Sequence, residues 1–254
     1  MVEYARKGLI GVLTPQANTT VEPEFAILMP PGYAFLNARL VSDKPTINAR
    51  LDDYFAAMEH SITQFANAPM GAVAFACTGA SYLQGVEREQ AAVEAIEAAR
   101  GIAFLTAGRA VAEALHRLGA KRIGLVSPYP PDLTEASVAY WRSHGFEIGI
   151  VTGAFDPSSK FHPIYDLPAA RAEDALAGID LNSVDAVVML GTGMPSLGPI
   201  LAHASGSPVP IVSCMSALAW RSLVVFDPDL AEPDAMRRYF AGEGWNERFA
   251  RATA

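Results

Sequence analysis

The stretch VAFACTGAS, Val73–Ser81, returns later in the chain as VVMLGTGMPS, Val187–Ser196. In both, an apolar, β-prone run ends at a turn of small residues, with Cys77-Thr78-Gly79 in the first copy opposite Gly191-Thr192-Gly193 in the second. The offset is 191 − 77 = 114 residues. A second pair, GVLTP from Gly11 and GLVSP from Gly124, lies at 124 − 11 = 113. Two matches at nearly one offset indicate a duplicated unit, at a period too long for a solenoid repeat.

Around these turns, short apolar runs alternate with Ala-rich segments of helical period. Strands are expected near 8–14, 33–40, 71–76, 102–105, 122–127, 146–152, 186–190 and 209–213. Helices are expected near 50–67, 84–99, 107–119, 132–144, 168–178, 195–204 and 215–223, with Asp132 capping one and Gly119 ending another. GAVAFA and DAVVML are apolar throughout, as strands covered on both faces are. The pattern predicts an α/β protein of two pseudo-symmetric parallel-sheet halves. The first half takes 1–106 plus 215–254 and carries Cys77; the second takes 107–214 and carries Tyr129 and Gly191. In parallel α/β sheets ligands bind beyond the carboxyl ends of strands, where both turns of both halves fall. Two facing halves then share one cleft, with Cys77 on one wall and Gly191 on the other.

The 254 residues are 51% hydrophobic and 18% charged, which suits a sizeable core and argues against disorder. A net charge of −8 without a basic stripe argues against a nucleic-acid partner, yet leaves room for an anionic ligand at a local site. No apolar run reaches the ~18 residues of a membrane span, and MVEYARKGLIGVLTP lacks a signal-peptide layout. Two cysteines, Cys77 and Cys214, do not make a disulfide framework. CxxC, HExxH, P-loop and G-x-G-x-x-G patterns are absent, so neither a metal nor a dinucleotide is expected. The expectation is a cytoplasmic protein with free thiols that can assemble as a homo-oligomer.

Cys77 follows a buried strand and precedes a loop leading to a helix, where backbone N–H groups lower a thiol pKa. Thr78, Gly79 and Ser81 add donors for a carboxylate or enolate oxygen. Asn18, Thr19 and Thr20, in TPQANTTVEPE, are three short hydrogen-bonding side chains in a row that suit a carboxylate; the same residues also read as an ordinary helix cap. Tyr129, in VSPYPPD, can donate into the cleft or pack between prolines. His162 is the histidine placed nearest the cleft, while His60 and His116 fall on helix surfaces. Cys214 reads as a packing or cleft-wall residue. Leu40, Val41, Phe161 and Met194 are expected to give the cleft apolar room.

At these residues the chain resembles the aspartate/glutamate racemase superfamily, most closely its branch of maleate cis–trans isomerase and arylmalonate decarboxylase. The matching pieces are Asn18-Thr19-Thr20 with Glu22, Cys77-Thr78-Gly79, Tyr129, and GMPSL with the PVPIVS strand after it, spanning the chain to about residue 225. The resemblance implies two similar α/β halves, an active site between them, a small carboxylate or dicarboxylate substrate, and no metal or organic cofactor. In the racemases two thiols face opposite sides of the substrate carbon. In the isomerase the first-half cysteine attacks the double bond and the second-half cysteine is the acid. In the decarboxylase only the second-half cysteine is present, and it protonates an enediolate.

This chain departs from all three patterns, with cysteine at 77 and glycine at 191. One thiol suffices for decarboxylation of a malonate-like acid, with Cys77 as proton donor. Cis–trans isomerisation, with Cys77 as nucleophile and Tyr129 or water giving the second proton, is the alternative. A non-catalytic carboxylate binder is a third reading. Cys77 and Tyr129 are thus the candidate catalytic residues, and Asn18, Thr19, Thr20, Thr78, Gly79, Gly191, Thr192, Gly193 and His162 the candidate substrate-binding ones.

Overall fold

The structure, a computed structural model, describes residues 2–158 and 162–254, so Phe161 lies outside the described residues. Eight strands form two sheets: β1 (Gly8–Pro15), β2 (Tyr33–Leu40), β3 (Ala72–Phe75) and β4 (Ala103–Thr106), then β5 (Arg122–Ser127), β6 (Glu147–Gly153), β7 (Ala186–Met189) and β8 (Ile211–Ser213). The orders are β2-β1-β3-β4 and β6-β5-β7-β8, and every pairing is parallel. The duplicated x-T-G turns therefore follow equivalent strands, β3 and β7. Residues of β1, β3 and β7 are buried along their whole length, as their continuous apolar runs require. The edge strands β2 and β6 are partly exposed.

Twelve α-helices cover the sheets among the described residues: α1 (Val21–Leu28), α2 (Ile47–Ala56), α3 (Met58–Ile62), α4 (Thr78–Gln84), α5 (Val86–Arg100), α6 (Ala107–Arg117), α7 (Pro131–Ser143), α8 (Ala169–Ala177), α9 (Leu197–Ala204), α10 (Cys214–Val224), α11 (Pro233–Phe240) and α12 (Asn246–Thr253). Their starts follow local chemistry. Thr46 and Thr106 accept N–H bonds at the heads of α2 and α6, and Ser213 forms a capping box with Ser216 on α10. Gly119, at φ +76°, ends α6 as expected.

Three expectations need correction. The segment 50–67 is not one helix: it breaks into α2, α3 and a short 3-10 turn at Thr63–Phe65. Cys77-Thr78-Gly79 is not a loop ahead of a distant helix, because α4 begins at Thr78 with Cys77 as its N-cap. Asp132 does not cap α7; Pro130 holds the cap position and the Asp132 carboxylate accepts from Asn48 Nδ2 at 2.9 Å. The charged, aromatic tail is helical and packs onto the first half, where Arg248 donates to the carbonyls of Ile27 (2.5 Å) and Leu28 (3.1 Å). Trp141, Trp220 and Trp245 are fully buried, and the indoles of Trp220 and Trp245 donate to the carbonyls of Leu230 and Tyr239.

Candidate active site

The carboxyl ends of β1, β3, β5 and β7 converge on the seam between the halves. There the two x-T-G turns interlock. Thr192 Oγ1 donates to the Ala76 carbonyl at 2.7 Å, and Thr78 Oγ1 lies 3.0 Å from Tyr129 Oη. Each turn thus spends its threonine on the opposite half. A small cavity of about 30 Å³ opens beside them. It is lined by Cys77, Thr78, Gly79, Tyr129, Thr192, Gly193 and His162 from among the residues singled out by sequence, and by Pro15, Ile47, Arg50, Leu51, Tyr54, Ile164 and Tyr165 besides.

Asn18, Thr19 and Thr20 do not line this cavity. Asn18 Oδ1 accepts from the N–H groups of Thr20 and Val21 at the head of α1, and its Nδ2 approaches Thr192 Oγ1 at 3.5 Å. Thr19 and Thr20 donate to the carbonyls of Tyr165 and Gly193. The trio caps a helix and ties the halves together, the ordinary-cap reading of its sequence. Leu40 and Met194 are fully buried and Val41 is largely exposed, so none of the three gives the cavity apolar room; Ile47, Leu51 and Ile164 do. Ser81 also lies away from the cavity wall, fully buried with its hydroxyl unpaired among the described residues.

Nearby, Glu24 on α1 makes a buried bridge to the second half. Its carboxylate accepts from the Ser196 N–H (2.6 Å), the Ser196 hydroxyl (2.9 Å) and the Leu197 N–H (3.3 Å), satisfying donors left over at the start of α9. Burial nevertheless raises its pKa from about 4.5 to about 7.

Cys77 is 3% exposed. Burial pushes its thiol up to about 12, against the opposing pull of the Ala80 N–H. The sequence expectation of a lowered pKa fails here because desolvation outweighs the helix-start donor. Burial likewise carries Tyr129 well above its ordinary range, and lowers His162 to about 4 with help from Arg50. At neutral pH the wall therefore holds a neutral thiol, a neutral phenol and a neutral imidazole, with Arg50 as its one permanent charge among the described residues. Among the described residues no carboxylate lies within ion-pair distance of Arg50, whose Nε donates to the Lys44 carbonyl at 2.6 Å. Such a wall suits an anion.

Gly191 stands behind Tyr129. At φ +83° its backbone is left-handed, and a Cβ built there would meet Pro128 Cγ at 3.0 Å and Tyr129 Oη at 3.1 Å. Opposite Cys77, the space a second thiol would use is thus taken by the tyrosine hydroxyl. Cys214 is fully buried at the start of α10, with its sulfur 3.9 Å from Tyr82 Oη. Among the described residues, no group of three or more His, Cys, Asp or Glu side chains is placed to hold a metal ion, and no helix is long and apolar enough to cross a membrane.

Sequence alone missed the α2 contribution, although Ile47, Leu51 and Tyr54 at i, i+4 and i+7 mark one face of a helix and Arg50 borders it. Nothing in a single sequence brings that face to Cys77.

Comparison with known proteins agrees with this geometry. A maleate isomerase of Nocardia farcinica is 29% identical over 241 residues, covering 90% of this chain and 94% of that one. The structure of a maleate cis–trans isomerase cysteine-to-serine mutant from the same organism, with a covalently bound succinylcysteine intermediate, superposes with a TM-score of 0.75 at 26% identity, over 87% of this chain and 93% of that one. Arylmalonate decarboxylase shares the fold at a TM-score of 0.72 and 18% identity, over 86% of this chain and 92% of that one. The sequence pattern of the arylmalonate decarboxylase family matches residues 10–238. With paired parallel sheets, a cysteine at the end of β3 and a cavity on the seam, this chain belongs to the arylmalonate decarboxylase family.

Proposed function

We propose that the protein decarboxylates a small malonate-like diacid, with Cys77 giving the proton. The observation that carries this reading is a buried, neutral thiol set among hydroxyl donors in a cavity whose charge is cationic. A malonate loses CO2 by breaking one C–C bond, and the electron pair stays as an enediolate. Of the paired Thr78 and Tyr129 hydroxyls, the one that accepts from the other keeps its hydrogen free to donate to an enediolate oxygen; one such donor is worth about 2.7–4 kcal/mol in comparable oxyanion holes. The Cys77 S–H bond then breaks as the new C–H bond forms, and the thiolate regains its proton from water as product leaves. An acid with pKa about 12 stays protonated at every working pH, and an enediolate carbon is basic enough to take its proton. The free thiols at 77 and 214 accord with a reducing, cytoplasmic setting.

The test is a prochiral disubstituted malonate, followed by CO2 release and resolution of the product on a chiral column. One enantiomer is expected, of the hand opposite to that made by arylmalonate decarboxylase, because the proton comes from the other wall. The same hand would sink the assignment of Cys77, as would a Cys77→Ala variant with full turnover.

Cis–trans isomerisation of a maleate-like diacid is the second reading. Arg50 favours it, since a cation at the rim can hold a second carboxylate, and so does the succinylcysteine of the Nocardia farcinica relative. This route needs Cys77 as thiolate, so its kcat/KM rises with pH throughout the range 6–10, where proton donation stays flat. Maleate with proton NMR separates the two: fumarate supports isomerisation.

A further inference from the structure

The cavity beside Cys77 has room for little more than a water molecule, and one wall residue takes up space that a ligand would need. A Cβ built at Gly193 would come within 2.3 Å of Tyr165 Cδ1 and 2.6 Å of Tyr165 Cε1. The tyrosine ring therefore stands where any side chain at position 193 would be. The imidazole of His162 covers the ring, with centroids 3.9 Å apart and planes 11° from parallel. His162 is fixed in turn, because its Nδ1 accepts from the Ile164 N–H at 3.3 Å. Ring and glycine are held in register by neighbouring residues of one turn. Thr19 donates to the Tyr165 carbonyl at 3.1 Å, and Thr20 donates to the Gly193 carbonyl at 2.9 Å. The seat thus depends on a missing side chain at 193, a stacked ring at 162 and two threonines that fasten its edges.

We infer that Tyr165 is a specificity-determining residue: its ring, seated against Gly193 and covered by His162, fills the part of the cavity that a bulky substituent would take. The acid that fits beneath the seated ring is a malonate carrying hydrogen, methyl or ethyl groups, not an aryl group. Apolar contact from Ile47, Leu51 and Ile164 suits such short alkyl groups. The name of the substrate class rests on the decarboxylase reading above. The size limit itself does not, and the experiment reads the two apart.

Cys77 lines the same cavity and reports its size chemically. Iodoacetamide and N-phenyl iodoacetamide alkylate a thiol by one displacement: the S–C bond forms, iodide leaves and the thiol proton passes to buffer. They differ in bulk. Rates at Cys77, assigned by peptide mapping, are measured at pH 8 for wild type, Tyr165→Phe and Tyr165→Ala. The rate ratio of the phenyl reagent to the small one is expected to rise about tenfold or more in Tyr165→Ala, the scale on which a pocket discriminates by size. In Tyr165→Phe, which keeps the ring, it should stay within about twofold of wild type. General loosening of the fold would raise both rates together and leave the ratio alone. An unchanged ratio in Tyr165→Ala overturns the inference, as does an equal rise in Tyr165→Phe. Should Tyr165→Ala fail to fold, Tyr165→Leu decides in its place, with a rise of about threefold required. Turnover is then followed on ethyl(methyl)malonate and methyl(phenyl)malonate. Wild type is expected to prefer the first, and Tyr165→Ala to move kcat/KM toward the second by about tenfold; a wild type that prefers the phenyl acid overturns the inference. If the alkylation ratio shifts but neither acid is decarboxylated, the size limit stands and the proposed function fails.

Discussion

Replacing Gly191 by alanine adds one methyl group to the wall opposite Cys77, and its cost can be worked from two observations. The first is the backbone, held at φ +83°. A side chain in the left-handed region costs about 1–2 kcal/mol relative to glycine. The second is space: the new Cβ meets Pro128 Cγ at 3.0 Å and Tyr129 Oη at 3.1 Å. Neither is free to yield, since Pro128 is a ring at a strand end and Tyr129 is buried and paired with Thr78. Overpacking of this kind costs about 1–3 kcal/mol. The sum is about 3 kcal/mol, a fall in melting temperature of roughly 6–12 °C for a chain of this size. Circular dichroism melts at pH 7 measure it. In a Tyr129→Phe background the oxygen at 3.1 Å is gone, and the penalty should shrink toward its backbone part. A Gly191→Ala protein melting within about 1 °C of wild type would refute the reasoning, as would an equal penalty in both backgrounds. Gly191→Cys meets the same obstacle, so a second thiol there is expected to be poorly tolerated while Tyr129 keeps its hydroxyl.

Three further outcomes follow from the same site. Glu24 keeps its proton in the fold up to about pH 7 but loses it near 4.5 when unfolded, so stability should fall as pH rises between those values and level off above 7. The loss is on the order of 3 kcal/mol; Glu24→Gln should flatten urea midpoints over that window, and parallel curves for the two proteins would disprove the shift. Cys77, raised from an ordinary value near 9 to about 12, should alkylate with iodoacetamide about 1000-fold more slowly than a free thiol. Intact-mass spectra at pH 8 check this, and one fast adduct at Cys77 contradicts it. Arg50→Gln should raise KM for a dianionic acid about 10–100-fold with kcat little changed, the size of a lost charge-assisted hydrogen bond; an unaltered KM removes Arg50 from substrate binding.

The two x-T-G turns made the duplicated sheets legible, because a strand covered on both faces leaves an unbroken apolar run and a ligand loop leaves small residues after it. The expected strand at 33–40 coincides with β2, and that at 122–127 with β5. The start of α4 was hidden: Thr78, Gly79 and Ser81 are weak helix formers, and burial of the segment overrides their preference. The break between α2 and α3 was hidden for the opposite reason, since Ala56, Ala57 and Met58 favour a continuous helix. Cys77 could be located but not its protonation, which depends on how completely the halves close over it. The contact of Cys214 with Tyr82, which comes from the other half of the chain, left no trace in the sequence.

The buried Glu24 bridge and the threonine crossovers fasten one side of the seam with groups that would be stranded without partners if the halves parted there. The cavity, at about 30 Å³, holds little more than a water molecule. On the proposed function a diacid has to enter from the other side, where α2 and the segment from His162 to Tyr165 form the outer wall. On that reading, this outer wall has to part for each diacid to enter and for each product to leave. Top speed is then set by that parting as much as by the chemistry, so kcat should drop as solvent viscosity is raised with sucrose while the balance between competing substrates stays fixed.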